Sequence, residues 1–252
     1  MARYDFRSPR LYVEAEFEAG ATVALKRAQA HYLGTVLRLS AGERVLVFNG
    51  RDGEWSATIV GQRRPAGLRV DTRTRDQTTP ADLHYLFAPL KAARLDYVTQ
   101  KAVEMGASLL QPVLTRHGQI TKVNTERMRA NAIEAAEQCG ILSPPAAAPL
   151  IALARLLAER DAGRWLVFCD EDAEVANPVD ALSVVPPSPL AVLIGPEGGF
   201  AEDERAALLR QPNVVRLSLG PRILRADTAA VAALTLVQTF AGDWGARTPI
   251  SG

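Results

Sequence analysis

The chain has 252 residues, 48% of them apolar, with 29 Lys and Arg against 28 Asp and Glu, and only two cysteines. That is enough apolar sequence for a sizeable core, and the composition excludes a disordered, collagen-like or disulfide-scaffolded chain. The near-zero net charge hides an asymmetry: residues 1–75 hold thirteen basic and eight acidic side chains, and the remainder hold sixteen and twenty. A basic first part suits a polyanion such as nucleic acid; the alternative is chance variation of a solvated surface. Cys139 and Cys169 lack the spacing of a disulfide framework or a zinc site and read as two buried apolar thiols. Residues 1–7 lack the apolar core of a signal peptide, and the apolar stretch Leu190–Ile194 is far too short to span a bilayer. A reducing, cytoplasmic location without membrane association is the expectation.

Residues 11–75 read as short strands joined by turns. Leu11-Tyr12-Val13 is apolar. Helical spacing over residues 27–38 puts Tyr32, Val36 and Leu39 on one side. Arg44–Phe48 reads as a strand closed by Asn49-Gly50, and Trp55–Val60 as a second, with Arg51-Asp52-Gly53 as turn chemistry between them. A small β-barrel with one short helix fits. The polar, Thr-rich stretch Asp71–Asp82 has no hydrophobic period and reads as a boundary between a domain over residues 1–75 and a second over residues 82–245.

From His84 the texture changes. Strands are expected at His84–Leu90, Leu109–Leu114, Trp165–Cys169, Leu190–Ile194 and Val214–Leu217. Helices are expected at Asp96–Met105 and Thr125–Cys139, each stopped by a glycine, and at Leu150–Arg160, Glu202–Arg210 and Asp227–Phe240. A Pro/Ala stretch, Ser143–Pro149, interrupts the pattern, and the tail from Gly245 reads as frayed. Such alternation points to an α/β fold with a mostly parallel sheet covered by helices.

Two loops carry chemistry. The first, Gly195-Pro196-Glu197-Gly198-Gly199-Phe200, leaves an apolar strand and enters an acidic helix start, Glu202-Asp203-Glu204. In open parallel sheets, ligands bind beyond the carboxyl ends of strands. Three glycines let backbone approach a ligand closely. Glu197, and the lack of G-x-G-x-x-G or a P-loop lysine, argue against a phosphate ligand. A ligand neutral or positive at the contact, such as a sulfonium cofactor, meets that description; the plain alternative is a strand–turn–helix connection. The second loop, Leu217–Ala229, also follows a strand and opens a helix that Asp227 or Thr228 can cap. Its Arg222 and Arg225, if desolvated, need partners. RNA phosphate or charge developing on a base oxygen would serve, and so would a structural ion pair of Arg225 with Glu197. His31 and His84 read as packing or surface groups, His117 beside Arg116 is at most a minor RNA contact, and the His/Cys/carboxylate spacing suits no metal. Trp55, Trp165 and Trp244 read as core or interface, with stacking on a base as the alternative for Trp55.

Ile194–Phe200 followed by Leu219-Gly-Pro-Arg-Ile-Leu-Arg-Ala-Asp-Thr-Ala229 resembles the ribosomal RNA small subunit methyltransferase E family, of the knotted SPOUT class. His31–Leu39 is similar to the family's N-terminal helix signature, Lys91 to Asp96 with Lys101-Ala-Val-Glu-Met-Gly106 to its K-A-x-E-x-G pattern, and Glu134–Gly140 to its E-A-A-E-Q-S/C-G helix. The likeness thus runs through nearly the whole chain in order. It implies a PUA-like RNA-binding barrel, then a SPOUT α/β domain with a trefoil knot that binds S-adenosyl-L-methionine and forms a homodimer. The implied reaction is N3 methylation of a uridine in the 16S rRNA of the small ribosomal subunit. The residue pattern alone does not suggest a knot, threaded chains being rare.

With the resemblance, cofactor contacts fall at Leu193, Gly195, Gly198, Gly199, Leu217, Leu219, Gly220 and Leu224, and RNA contacts at Arg38, Arg116 and Arg222. Arg225 is the expected catalytic residue, stabilising the negative charge that forms as N3 loses its proton; Glu197 acts as base or orients Arg225. Two departures stand out. Ile141 stands where relatives carry a basic residue, and Ala201 where they show Ser, a change that weakens a helix cap by about 1 kcal/mol. Three rivals remain. One is a SPOUT enzyme with another RNA target, although Ile223-Leu224-Arg225 replaces the S-L-N-type tripeptide of the ribose branch. A second is a non-catalytic rRNA-binding or assembly protein, which would not need intact cofactor loops. The third, a nucleotide-dependent enzyme, is disfavoured by the missing phosphate fingerprints.

Overall fold

The computed structural model describes residues 5, 7–62, 64–174 and 177–245. Contacts divide the chain into two compact units, Met1–Thr79 with Ala136–Pro144, and Pro80–Ala135 with Pro145–Gly252. Most of the tail expected to fray, residues 246–252, lies outside the described residues, as do residues 1–4 of the N-terminus.

The first unit has strands β1 (Arg10–Tyr12), β2 (Thr22–Ala24), β3 (Arg44–Phe48), β4 (Glu54–Val60) and β5 (Gly67–Arg75). They form a curled sheet in the order β1-β3-β4-β5-β2, antiparallel except for β1 with β3. Alternation in β4 turns Ala57 and Ile59 inward, where they meet Leu11, Val13, Val45, Val47 and Leu68. At the entry to β4, Gly53 has φ +82°, and a Cβ there would stand 2.3 Å from the Arg75 carbonyl oxygen, so only glycine fits.

Three expectations change in this unit. Residues 71–75 are strand, not boundary: β5 continues to Arg75, which is in register with Glu54. Its ladder needs only backbone groups, so a polar, largely exposed strand shows no hydrophobic period. The expected helix over 27–38 is a short α1 (Arg27–His31) that runs into a π-helical turn, Tyr32–Val36. The wider turn rotates the side chains that follow, so Leu33 is buried and Val36 is 59% exposed. Cys139 is exposed rather than buried, being the last residue of its helix, beyond the covered stripe Met128, Ala132 and Ala136.

A buried ion cluster ties the unit together. Glu54 accepts Arg10 Nε at 3.0 Å and Arg75 Nη2 at 2.7 Å, and the Arg10 and Glu54 side chains are each 4% exposed. Hydrogen bonds join the 136–144 segment to the unit: the Glu137 carboxylate accepts the Tyr12 N–H at 2.8 Å, Arg75 donates to the Gly140 carbonyl at 2.9 Å, and Gln77 donates to the Ser143 hydroxyl at 2.7 Å.

The second unit follows the α/β pattern. In chain order it has β6 (Leu83–Phe87), α2 (Ala92–Glu104), β7 (Leu109–Leu114), α3 (Thr125–Cys139), β8 (Ala146–Ala147), β9 (Ile151–Ala152), α4 (Leu153–Glu159), β10 (Trp165–Cys169), α5 (Pro178–Leu182), β11 (Leu190–Ile194), α6 (Glu202–Leu209), β12 (Val214–Leu217) and α7 (Ala226–Ala241). The sheet runs β12-β10-β11-β6-β7-β8, with β9 also on β7, and every pairing is parallel. β11 lies inside the sheet with all five residues buried, which is why its sequence is a continuous apolar run. Helix α4 starts at Leu153 instead of Leu150 because Ile151 and Ala152 pair with Val113 and Leu114. Leu86, Val113, Leu166, Phe168, Leu193, Phe200 and Leu208 pack as one core. This packing brings the carboxyl ends of β10, β11 and β12 to one edge.

Candidate active site

A cavity of about 440 Å³ opens at that edge. Its walls are Cys169–Glu171 and Ala173 after β10, Ile194–Gly199 after β11, Leu217–Leu224 after β12, and Ala226 and Ala229 of α7. Parallel strands end together, so three loops converge there. The first loop folds on itself. Phe200 turns back so that a Cβ on Gly195 would stand 2.8 Å from its ring, and Phe200 meets Phe168 edge-on at 5.9 Å. Gly199 has φ +69°, and a Cβ there would lie 1.8 Å from the Glu171 carboxylate. Packing against Phe200 favours glycine at 195, and the positive φ favours it at 199, where the Glu171 carboxylate end can move aside. Gly220 (φ +94°) has open space where a Cβ would be.

Of the residues singled out in the sequence, Gly195, Glu197, Gly198, Gly199, Leu217, Leu219, Gly220, Arg222 and Leu224 line this cavity. Leu193 does not: it is fully buried in the core, and Ile194 reaches the cavity instead. Successive strand residues face opposite ways, so one step along β11 exchanges core for cavity. Arg225 caps α7 between two lining residues, is exposed, and has no ion pair or side-chain hydrogen bond among the described residues. Arg116 lies outside the cavity. Its guanidinium donates to Asp203 at 2.6 Å, and its backbone N–H to Glu204 at 2.8 Å. Arg38 belongs to the first unit, exposed and with φ +58°.

The structural pair weighed for Arg225 and Glu197 does not form. Glu197 pairs with Arg94, near the start of α2, and Arg94 Nε also donates to Asp227 at 3.0 Å. Asp227 is held below the usual carboxylate range, chiefly by that hydrogen bond. His117, weighed in the sequence only as a minor RNA contact, sits on the first loop: its Nδ1 is 3.1 Å from the Gly198 carbonyl oxygen and 3.2 Å from that of Gly199. Carbonyls only accept, so this nitrogen carries the hydrogen. Asp170, on the cavity wall with a fully buried side chain, accepts Arg205 Nε at 3.1 Å and Arg216 Nε at 2.6 Å. Burial pushes the neighbouring Cys169 thiol up to about 12, which keeps it protonated. Each of these contacts crosses 35 to 133 residues of sequence. No local signal marks them: Arg94 precedes the helix expected at Asp96–Met105, and only the longer helix observed, Ala92–Glu104, puts it in a first turn.

Ala201 caps α6 without a side-chain hydrogen bond, while the Glu204 carboxylate accepts the Ala201 N–H at 3.1 Å. Half of a capping box is present and half is lost to the missing hydroxyl.

Residues 77–238 match the RNA methyltransferase domain family, and residues 25–66 the RNA methyltransferase PUA domain. The chain belongs to the RNA methyltransferase domain family. Among its relatives, the ribosomal RNA small subunit methyltransferase E of Rickettsia conorii is 30% identical over 233 residues, 91% of this chain and 94% of the relative. Two solved structures share the architecture of this RNA methyltransferase. One is a ribosomal RNA small subunit methyltransferase E from Neisseria gonorrhoeae bound to S-adenosyl methionine, with a TM-score of 0.85, 26% identity, and coverage of 94% of this chain and 100% of that one. The other is a putative methyltransferase from Legionella pneumophila in complex with SAM, with a TM-score of 0.83, 29% identity, and coverage of 94% and 99%.

Proposed function

We propose that this RNA methyltransferase transfers the methyl group of S-adenosylmethionine to N3 of a uridine in the 16S rRNA of the small ribosomal subunit. The observation that carries the reading is the composition of the cavity wall. Glycine backbone and Leu217, Leu219 and Leu224 offer an apolar slot suited to an adenine. Asp170, Glu171 and Glu197 are its acids, and Arg222 is its basic side chain among the described residues. All three acids are ion-paired with arginines, Asp170 with Arg205 and Arg216, Glu171 with Arg205 and Glu197 with Arg94, so the fit to the cofactor rests on the glycine backbone and the leucines, while one basic side chain on the wall is too little to grip a polyphosphate. Relatives of this family hold the same cofactor at similar overall structure.

Once bound, S-adenosylmethionine supplies an electrophilic methyl group on a positive sulfur. The chain must hold N3 in line with it and stabilise the charge left when N3 loses its proton. Arg225 stabilises that charge, being exposed, unpaired among the described residues and adjacent to the lining residues Leu224 and Ala226. Glu197, with its carboxylate engaged by Arg94, serves as a positioning partner rather than a free base. Leu193 holds the strand in place from the core, and the other loop residues hold the cofactor. Arg222, at the cavity mouth, and Arg116 and Arg38 contact RNA, and the basic first domain supplies further phosphate contacts. A homodimer fits the exposed Tyr97 on α2 and Phe240 on α7, with Trp244 just beyond. A knot threaded through the cofactor loops and a cytoplasmic site of action complete the reading; no helix among the described residues is long and apolar enough to cross a membrane.

Arg225→Ala should still bind S-adenosylmethionine in calorimetry and lose methyl transfer by roughly 100-fold or more, on the order of an oxyanion-stabilising contact. Full activity in that variant sinks the assignment. Mapping modified uridines in rRNA from cells with and without the protein tests the target.

A further inference from the structure

Arg94 occupies a place that its own helix disfavours. It is the third residue of α2, whose N-terminus carries partial positive charge and whose first turn holds no acidic residue. Negative charge comes instead from two separate segments. Nε donates to Asp227 in the first turn of α7, and Nη1 donates to Glu197 in the loop after β11. Both segments wall the cofactor cavity. The pairing acts in both directions: the guanidinium is held above its ordinary value by Asp227 first and then by Glu197. Nη2 is buried and has no partner among the described residues. The arrangement satisfies two carboxylates and leaves the arginine short of one acceptor, a costly placement that helix formation alone would not select.

We propose that Arg94 is a positioning residue that clamps the Gly195–Phe200 loop to the start of α7 and so sets the width of the cofactor cleft. A planar guanidinium holds two carboxylates in fixed directions; an ammonium is a single point charge and does not. The link to cofactor affinity rests on the methyltransferase reading, whereas the clamp itself does not.

The test uses the full chain. Hydrogen exchange on ligand-free Arg94→Ala should be faster at the hydrogen-bonded amides of Gly199, Ala201 and Ala229 and unchanged in the first unit. Calorimetry should show S-adenosylmethionine binding weakened about tenfold, a 1.4 kcal/mol effect. In assays, KM for the cofactor should rise more than kcat falls, and Arg94→Lys should recover part of the affinity. Adding Asp227→Asn to Arg94→Ala should weaken binding no further, because the two act as one unit and Asp227 does not line the cavity. Unchanged exchange at those amides overturns the clamp, and so does cofactor affinity within twofold of the parent alongside a lowered Tm. Failure of the unaltered protein to bind S-adenosylmethionine would overturn the methyltransferase reading, while the exchange data would still decide the clamp.

Discussion

Two clusters of arginine and carboxylate, one from each unit, are mirror images in stoichiometry. In the first, one carboxylate, Glu54, takes two arginines, and Arg10 and Glu54 are almost fully buried. In the second, one arginine, Arg94, takes two carboxylates, and Glu197 is 58% exposed. The first cluster joins β1, β4 and β5, all strands of one sheet. The second joins a helix, a loop and another helix around an open cavity. Removing a partner from the buried cluster strands a charge in the interior, so that cluster governs stability. Water screens the Glu197 arm of the second, so little stability depends on that pairing and its effect is on position. Side-chain identity is the same in both; burial, and what each partner is attached to, decides the job.

The sharpest way to break this contrast is Glu54→Ala. Two arginines would lose their shared partner, and the chain should lose about 3 kcal/mol in urea unfolding. A loss below about 1 kcal/mol would show that water reaches the site, and the contrast would fall. A pH series gives a smaller effect. Burial alone would raise the Glu54 carboxyl, but hydrogen bonds from Arg75 and Arg10 outweigh it and leave it below its ordinary value. A depressed carboxyl contributes stability above its unfolded pKa of about 4.3, and that contribution is lost as pH falls through the folded value. The urea midpoint should hold down to about pH 5 and then drop, with a shallower drop in Glu54→Gln; equal slopes would remove Glu54 from the account. Smallest is Ala201→Ser, which restores the missing half of the α6 cap and should add about 1 kcal/mol. Its cofactor affinity should stay at the parent value, which separates stability near the cleft from the position of the cleft walls. A change in affinity would tie the two together.

Much of the second unit was legible. Leu109–Leu114, Trp165–Cys169, Leu190–Ile194 and Val214–Leu217 are strands as expected, and Thr125–Cys139 is a helix with those bounds. Apolar runs and glycine stops mark such elements locally. The end of β5, the short β8 and β9, and the π-helical turn were not legible, because backbone pairing and turn width leave no side-chain period. Around the cavity, the two loops showed themselves through glycine, proline and charge in short order. The choice between Leu193 and Ile194 did not, since in a strand buried on both faces no alternation says which residue looks where.

Residues close together in the chain were enough to set the α/β alternation and to place glycine-rich, glutamate-bearing and arginine-bearing loops at the strand ends. Packing across the fold was needed to give Glu197 to Arg94 rather than Arg225, to seat His117 on the Gly198 and Gly199 carbonyls, and to gather Arg10 and Arg75 around Glu54. Charged side chains carry no periodic signature of their partners. A long flexible arginine reaches whichever carboxylate the packed elements set before it, and that is a property of the fold, not of the spacing along the chain.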